Sequence, residues 1–299
     1  MRYRYPDFYF DFECIADKCR HSCCKDWEIV VDEDTIEKYS SLPERQATEI
    51  MGQIAFKDGE YCMKLREDGC CPFLENSGLC RLILEYGEDY ISDICSEHPR
   101  FYNDFENCTE TGLGLCCEEV CRLLFLGNAP LEFIEIADED EEIRPDDREN
   151  YTLGFRGECL NTLVNGKEKG FSGLLETLFP GKALPNIKDL CSFLKKLEIL
   201  DPEWKNRLDR VAQYEAVTVL PGEDIRYIRL FQYLLYRHSP DCSGEDELKE
   251  AALFSICAVM LIFAAECCGE DFSDTVRMFS SEIEYSDENI GLIKEYLAD

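Results

Sequence analysis

AALFSICAVMLIFAA, Ala251 to Ala265, is the longest apolar run in the chain, and its reading decides the fold. Fifteen residues do not comfortably span a bilayer. Glu247, Glu250 and Glu266 flank the run. It is therefore expected as a helix buried in a protein core, with no membrane partner. Helical periodicity extends on both sides of it, over 151–165, 171–179, 186–199, 202–216, 223–238, 245–268, 271–283 and 286–297. The chain from 151 to 299 reads as an α-helical domain.

Upstream, ADEDEEIRPDDREN, residues 137–150, is almost all charge and reads as an acidic linker. Residues 1–136 then form a separate domain with shorter elements. Asp32 or Asp34 is placed to cap a helix through Tyr39, and Pro43 to open another through Met51. QIAFKDGEYCMKL reads as a hairpin turning at Asp58-Gly59. Short helices are expected over 79–86, 89–97 and 116–126, with a second hairpin over 101–115. The fold class is thus mainly α: an irregular cysteine-rich N-terminal part with short β-hairpins and helices, followed by an α-helical C-terminal part.

The 299 residues are 45% hydrophobic and 12% aromatic, which fits a folded protein. Asp plus Glu number 63 against 31 Lys plus Arg, a net charge of −32. Such a surface repels polyanions, so nucleic acid and acidic membranes are excluded as partners. The opening MRYRYPDFYFDFEC lacks the apolar run and cleavage site of a secretory signal, and the expected location is the cytoplasm.

Of the 19 cysteines, 13 fall in the first 121 residues. In a reducing compartment, clustered thiols read as metal ligands or catalytic groups and not as disulfides, and the odd total fits poorly with full pairing. Soft thiolates select zinc, Cu(I) and iron–sulfur clusters. Spacing decides among these only in part. The chain has no C-x₂-C pair of a zinc ribbon and no C-x₂-C-x₂-C run of a ferredoxin. CRHSCCKDW, Cys19 to Trp27, begins as C-x₃-C but carries Asp26 where a C-x₃-C-x₂-C radical-enzyme motif needs a third cysteine. Cys23 and Cys24 are adjacent and cannot easily share one ion, so one ligates while the other packs.

Other features have plainer readings. Gly112-Leu-Gly114 lacks the third glycine of a nucleotide loop and reads as a tight turn. Trp27 reads as core. His21 and His98 are ligand or proton-carrier candidates beside the bland reading of polar surface groups. Arg100 is placed to hold a carboxylate, such as that of a methionine moiety, or to form a structural ion pair. Cys62, Cys108, Cys121, Cys159, Cys191, Cys242, Cys257, Cys267 and Cys268 read as buried small residues or surface thiols. No residue is assigned a catalytic role.

An ordered set of blocks carries a family resemblance. These are Cys14, then Cys19 to Asp32 (CRHSCCKDWEIVVD), CPFL (Cys71 to Leu74), Leu79-Cys80, LEYGE (Leu84 to Glu88), Cys95 with Pro99-Arg100, and Cys117 through Arg122. Over residues 10 to 126 the chain resembles the flagellin lysine-N-methylase family, a branch of the broader cysteine-cluster group of zinc- or iron-chelating proteins. The resemblance implies transfer of methyl groups from S-adenosylmethionine to lysine ε-amines of a protein substrate such as flagellin. It also implies a cysteine-bound [4Fe-4S] cluster. The matching thiols are Cys14, Cys19, Cys23, Cys24, Cys71, Cys80, Cys95 and Cys117, more than the four that one cluster uses. Cys19, Cys23, Cys71 and Cys80 are the first choice, with Cys95 in reserve. Glu118, Cys116, His98 and the extra thiol Cys70 depart from the family pattern and leave the ligand set open. The alternative is a non-catalytic zinc- or iron-binding protein whose thiolates are structural.

Overall fold

The computed structural model describes residues 1–137, 144–166, 170–213, 220–221, 224–240 and 242–298. In chain order the strands are β1 (Arg2–Pro6), β2 (Ile54–Lys57), β3 (Glu60–Met63), β4 (Arg100–Asp104), β5 (Cys108–Leu113) and β6 (Phe133–Ala137). The helices are α1 (Glu33–Ser40), α2 (Glu44–Met51), α3 (Arg81–Tyr86), α4 (Asp93–Glu97), α5 (Glu118–Leu126), α6 (Asp147–Asn165), α7 (Gly170–Leu178), α8 (Ile187–Leu194), α9 (Pro202–Ala212), α10 (Ile225–His238), α11 (Glu245–Cys267), α12 (Phe272–Phe279) and α13 (Asp287–Ala298). They form two compact units, one of Glu13–Arg100 and one of Met1–Phe12 with Phe101–Asp299.

The larger unit is built around α11. This helix has 23 residues, longer than its apolar run of 15, so length alone does not exclude a membrane span. Burial decides the matter: 83% of its most apolar window lies inside the protein, against α7, α10, α12 and α13. The surrounding helices start where short polar side chains accept the first free N–H groups, at Asp146, Asn186, Asp201, Asp224 and Asp271.

This unit also contains a four-stranded sheet in the order β4-β5-β1-β6. Strand β1 runs parallel to β5, with Arg2 opposite Cys108, and antiparallel to β6, with Arg2 opposite Ala137. Neither β1 nor β6 is expected from the sequence. The segment RYRYP does alternate, but its buried face carries Arg2 and Arg4 while Tyr3 faces out, the reverse of a hydrophobic-in pattern. Because β1 lies in this sheet, the first 12 residues belong with the helical unit and not with the cysteine-rich segment. The expected acidic linker has a different character at its described ends. Ala137 closes β6, and Asp147–Asn150 form the first turn of α6. Residues 138–143 lie outside the described residues.

The buried arginines are matched by carboxylates. Arg4 bonds to Glu110 at 2.8 Å and Glu149 at 2.6 Å, and Arg156 adds two bonds to Glu110. Arg2 also pairs with Glu149. Burial works against the Arg4 charge, yet its bonds to Glu149 and Glu110 more than offset this and raise its pKa.

Gly112 has a task that the two-glycine motif did not predict. It sits inside β5, and the Phe101 ring of β4 lies on its backbone, in the space a Cβ would fill. That ring packs 6.2 Å from Tyr233 and Tyr236. Gly112→Ala is expected to push the ring out of place at a cost of about 1–3 kcal/mol. Thermal unfolding should show Tm lowered by a few degrees.

Between α12 and α13 the chain widens into a π-turn, Ser280–Glu284, that buries Glu282, Ile283 and Glu284 in succession. Arg237 and His238 face Glu284, with His238 Nε2 2.9 Å from its Oε1. Burial opposes the Glu284 charge, but Arg237 and His238 outweigh it and hold its pKa at about 2, below the usual 4.5. A depressed carboxylate contributes stability above pH 4.5 that is lost as pH falls towards 2. The amount is about 3 kcal/mol. Glu284→Gln should flatten this acid limb of Tm against pH.

Candidate metal centre

The cysteine-rich unit, Glu13–Arg100, is short on regular structure, so its shape depends on bridges between loops. Lys25 pairs with Cys70, and the Asp26 N–H donates to the Gly69 carbonyl. The Cys71 N–H donates to the Cys24 carbonyl at 2.8 Å. This clasp brings Cys24 beside Cys71. It requires Gly69, because a side chain there would strike the Asp26 carboxylate and the backbone is left-handed, with φ of 77°.

From Cys71 the chain doubles back on itself. Leu74 bridges to Cys80, Arg81 N–H donates to Phe73, and Gly78 makes the turn at φ of 83°. Cys80 thereby returns to Cys71 at the start of α3. Cys95 arrives from α4. Asp32 joins α4 to α1: one carboxylate oxygen caps α1 through Thr35 N–H at 2.8 Å, while the other accepts the Asp93 N–H at 2.9 Å. The result is a group of four thiols, Cys24, Cys71, Cys80 and Cys95, close enough that a charge on one acts on the others.

Their surroundings suit thiolates held by a cation. Backbone N–H groups reach two of the sulfurs, from Phe73 to Cys71 and from Ile83 and Leu82 to Cys80. Burial, reinforced by neighbouring thiols, pushes Cys71 up to about 12 and Cys95 up to about 11. Hydrogen bonding with Cys23 brings Cys24 down to about 7 against the pull of burial. Below the thiols lies Tyr39, fully buried, its hydroxyl bonded to the Tyr90 carbonyl at 2.7 Å. Cys71 belongs to the core of this unit with Ile29, Phe73 and Leu82, and Cys24, Cys80 and Cys95 pack against that core.

The gathered set overlaps the first choice among the family-matching thiols in two members. Cys71 and Cys80 are in it; Cys24 and Cys95 stand where Cys19 and Cys23 were expected. The clasp at 24–26 explains the shift, because it is Cys24 whose carbonyl meets Cys71. Cys23 is exposed and bonds to Cys24, while its carbonyl accepts the Trp27 indole N–H at 2.6 Å. Cys19 donates its thiol hydrogen to the His21 carbonyl in its own loop. Cys14 is exposed, and Cys117 lies in the other unit as the N-cap residue of α5. Arg100 donates to the Ser96 carbonyl in α4 at 3.3 Å. Burial pushes His98 down to about 4, so it is neutral at pH 7, with its ring 6.1 Å from Trp27.

Tyr39 and the second role of Asp32 were missed. Asp32 was legible as a helix cap, but a contact to residue 93 leaves no trace in local sequence. Asp32→Ala should cost about 1–2 kcal/mol as a lost cap. It should also speed metal loss to a chelator, since α4 carries Cys95.

One trio with ligand atoms within 4.8 Å of one another exists among the described residues, Cys108, Glu135 and Glu149. Both its carboxylates are already bound by Arg2 and Arg4, which disfavours a cation there. The thiol group is more open than that. Zinc–sulfur bonds of about 2.3 Å would set the sulfurs of one zinc ion within about 4 Å of one another.

The chain is 30% identical over 121 residues to lysine-N-methylases of Salmonella choleraesuis and Salmonella typhimurium, covering 38% of this chain. Part of this chain is similar to lysine-N-methylases. It is also 29% identical over 121 residues to the flagellar biosynthetic protein FliU of Salmonella muenchen, covering 72% of that protein. The match spans only 30% of the length of the two lysine-N-methylases. No family model and no solved structure matches the chain.

Proposed function

We propose that the protein is a protein-lysine N-methyltransferase that uses S-adenosylmethionine and a [4Fe-4S] cluster held by Cys24, Cys71, Cys80 and Cys95. The observation that carries this is the gathering of four thiols by loop bridges, with N–H donors aimed at two of the sulfurs. Hydrogen bonds to sulfur are among the means by which proteins tune such clusters. The relatives' names supply the reaction, and the FliU relative suggests flagellin as substrate.

Methyl transfer to lysine forms a C–N bond as the sulfonium S–C bond breaks, and the nitrogen releases a proton. With each of its four irons held by a thiolate, a bound cluster would supply electrons. The chain's own contribution starts with its charge. A surface of −32 draws a lysine-bearing segment in by long-range attraction. A cytoplasmic setting keeps the thiols reduced.

A second reading has one observation in its favour: the thiols pack against the small core of their unit, where a structural zinc would also stabilise the fold. Anaerobic purification with iron, sulfide and zinc assayed separates the two. The enzyme reading expects about four iron and four sulfide per chain, and methyl transfer from S-adenosylmethionine to flagellin lysines. Stoichiometric zinc without iron would refute the cluster.

A further inference from the structure

The helical unit leaves one edge of its sheet open. β6 is the last strand in the order β4-β5-β1-β6, and residues 134–137 of it are exposed. Its pairing fixes which backbone groups point outward. Tyr3 lies opposite Ile136 and Tyr5 opposite Ile134, in the same register as Asp7, whose N–H donates to the Glu132 carbonyl at 2.9 Å. In an antiparallel pair such bonded positions alternate with unbonded ones. Ile134 and Ile136 therefore bond to β1, while Phe133, Glu135 and Ala137 turn their N–H and C=O groups to the free edge. Pro6, which has no N–H, stands opposite Phe133, as this alternation requires. The outward groups have no hydrogen-bond partner among the described residues.

The face beside this edge is apolar. Arg2, Arg4 and Glu135 take the inner face, so Tyr3, Tyr5, Ile134 and Ile136 share the outer one. Ile134 and Ile136 are 40% and 47% exposed. Phe10, 58% exposed, sets its ring 4.9 Å from that of Tyr5. Acids surround these residues: Asp11, Asp104 and Glu132 are exposed, and the sequence runs on from Ala137 with five acidic residues, 138–142.

A bare edge beside apolar side chains is a template for another strand. Charge selects the strand. Two copies of this chain, each at −32, repel one another, as does any acidic segment. A basic, extended segment is complementary: its backbone completes the ladder, and its charge is opposite to that of the surroundings. We propose that β6 takes a lysine-bearing segment of the protein substrate as an added β-strand, with alternate apolar side chains of that segment on Tyr3, Tyr5, Ile134 and Ile136. The identity of the partner rests on the methyltransferase reading, and its place rests on the sheet.

Fluorescence anisotropy on the full chain, loaded with its metal, tests this with a labelled peptide of alternating lysine and valine and with the same peptide N-methylated along its backbone. The second keeps charge and side chains but has no N–H to donate. Wild type should bind the first at least about tenfold more tightly than the second. Ala137→Pro removes one outward N–H and no bond to β1, and should weaken binding about fivefold. Ile134→Thr with Ile136→Thr, which suits a strand and keeps the ladder, should weaken it about threefold to tenfold. This pair serves if circular dichroism shows Ala137→Pro to be misfolded. Equal binding of both peptides, altered by neither variant, would mean attraction by charge alone and would overturn the added strand. Absence of binding would overturn it too. So would a dimer in analytical ultracentrifugation that Ala137→Pro splits, which gives the edge to a second copy. Edge-dependent binding without methyl transfer to the peptide's lysines would uphold the docking strand and refute the methyltransferase reading. Methyl transfer with the KM for the peptide unchanged in both variants would do the reverse.

Discussion

Replacing Cys71 or Cys80 by Ser should abolish retention of iron, while Cys14→Ser, Cys19→Ser and Cys117→Ser should retain it. The expected loss in affinity is at least about 100-fold, since changing outer-shell partners alone commonly costs about 10–100-fold. Cys71 and Cys80 receive the backbone N–H groups and sit at the two ends of one folded loop. A serine oxygen there is a poor ligand for soft iron and still faces the same donors. Cys24→Ser and Cys95→Ser should behave alike. Cys19→Ser is the discriminating variant, because Cys19 is the first choice among the family-matching thiols and the fold brings Cys24 to Cys71. Loss of iron in Cys19→Ser with retention in Cys24→Ser would refute the quartet. Circular dichroism on the same variants separates the two roles of the metal. A folded protein without iron or methyl transfer fits the enzyme, and an unfolded cysteine-rich unit fits a structural ion.

Glu149→Leu should destabilise the helical unit by about 3–5 kcal/mol, the usual cost of removing one partner from a buried ion pair. Glu149 is fully buried and is bonded to both Arg2 and Arg4. Its loss leaves two guanidinium groups in the interior, with Glu110 bonded to Arg4 and half-exposed Glu135 shared by both. A unit of this size loses about 2–4 °C of Tm per kcal/mol, so a drop of roughly 6–20 °C is expected. A neutral isostere at this one position, Glu149→Gln, should help little, since both guanidinium charges stay buried. Replacing Arg2, Arg4 and Glu149 together by Met, Met and Leu should recover much of the loss, because a buried ionic cluster is often matched by well-packed apolar side chains. An isolated Glu149→Leu variant with unchanged Tm would mean that the arginines reach water.

The helices were legible because helix periodicity is a property of near neighbours. Asp32, Pro43, Asp58-Gly59 and Gly87 each marked an element boundary that the structure reproduces. The 15-residue apolar run announced a buried helix, although its 23-residue extent had to be seen in the fold. The cysteine enrichment announced a thiol-rich unit, and the ordered blocks announced relatives with a methylase name.

Tertiary structure alone decided three things. It drew β1 into a sheet with its arginines inward, since strand register depends on partners far along the chain and a period of two does not say which face is buried. It brought Cys24 and Cys95 to Cys71 and Cys80, since thiol direction in irregular loops is set by bridges such as Cys71 to Cys24. It gathered Phe101, Arg237 and Glu284 at one π-turn from three distant segments. Local sequence carries the period of an element, whereas the meeting of side chains depends on non-local packing that closes only once the elements are in place.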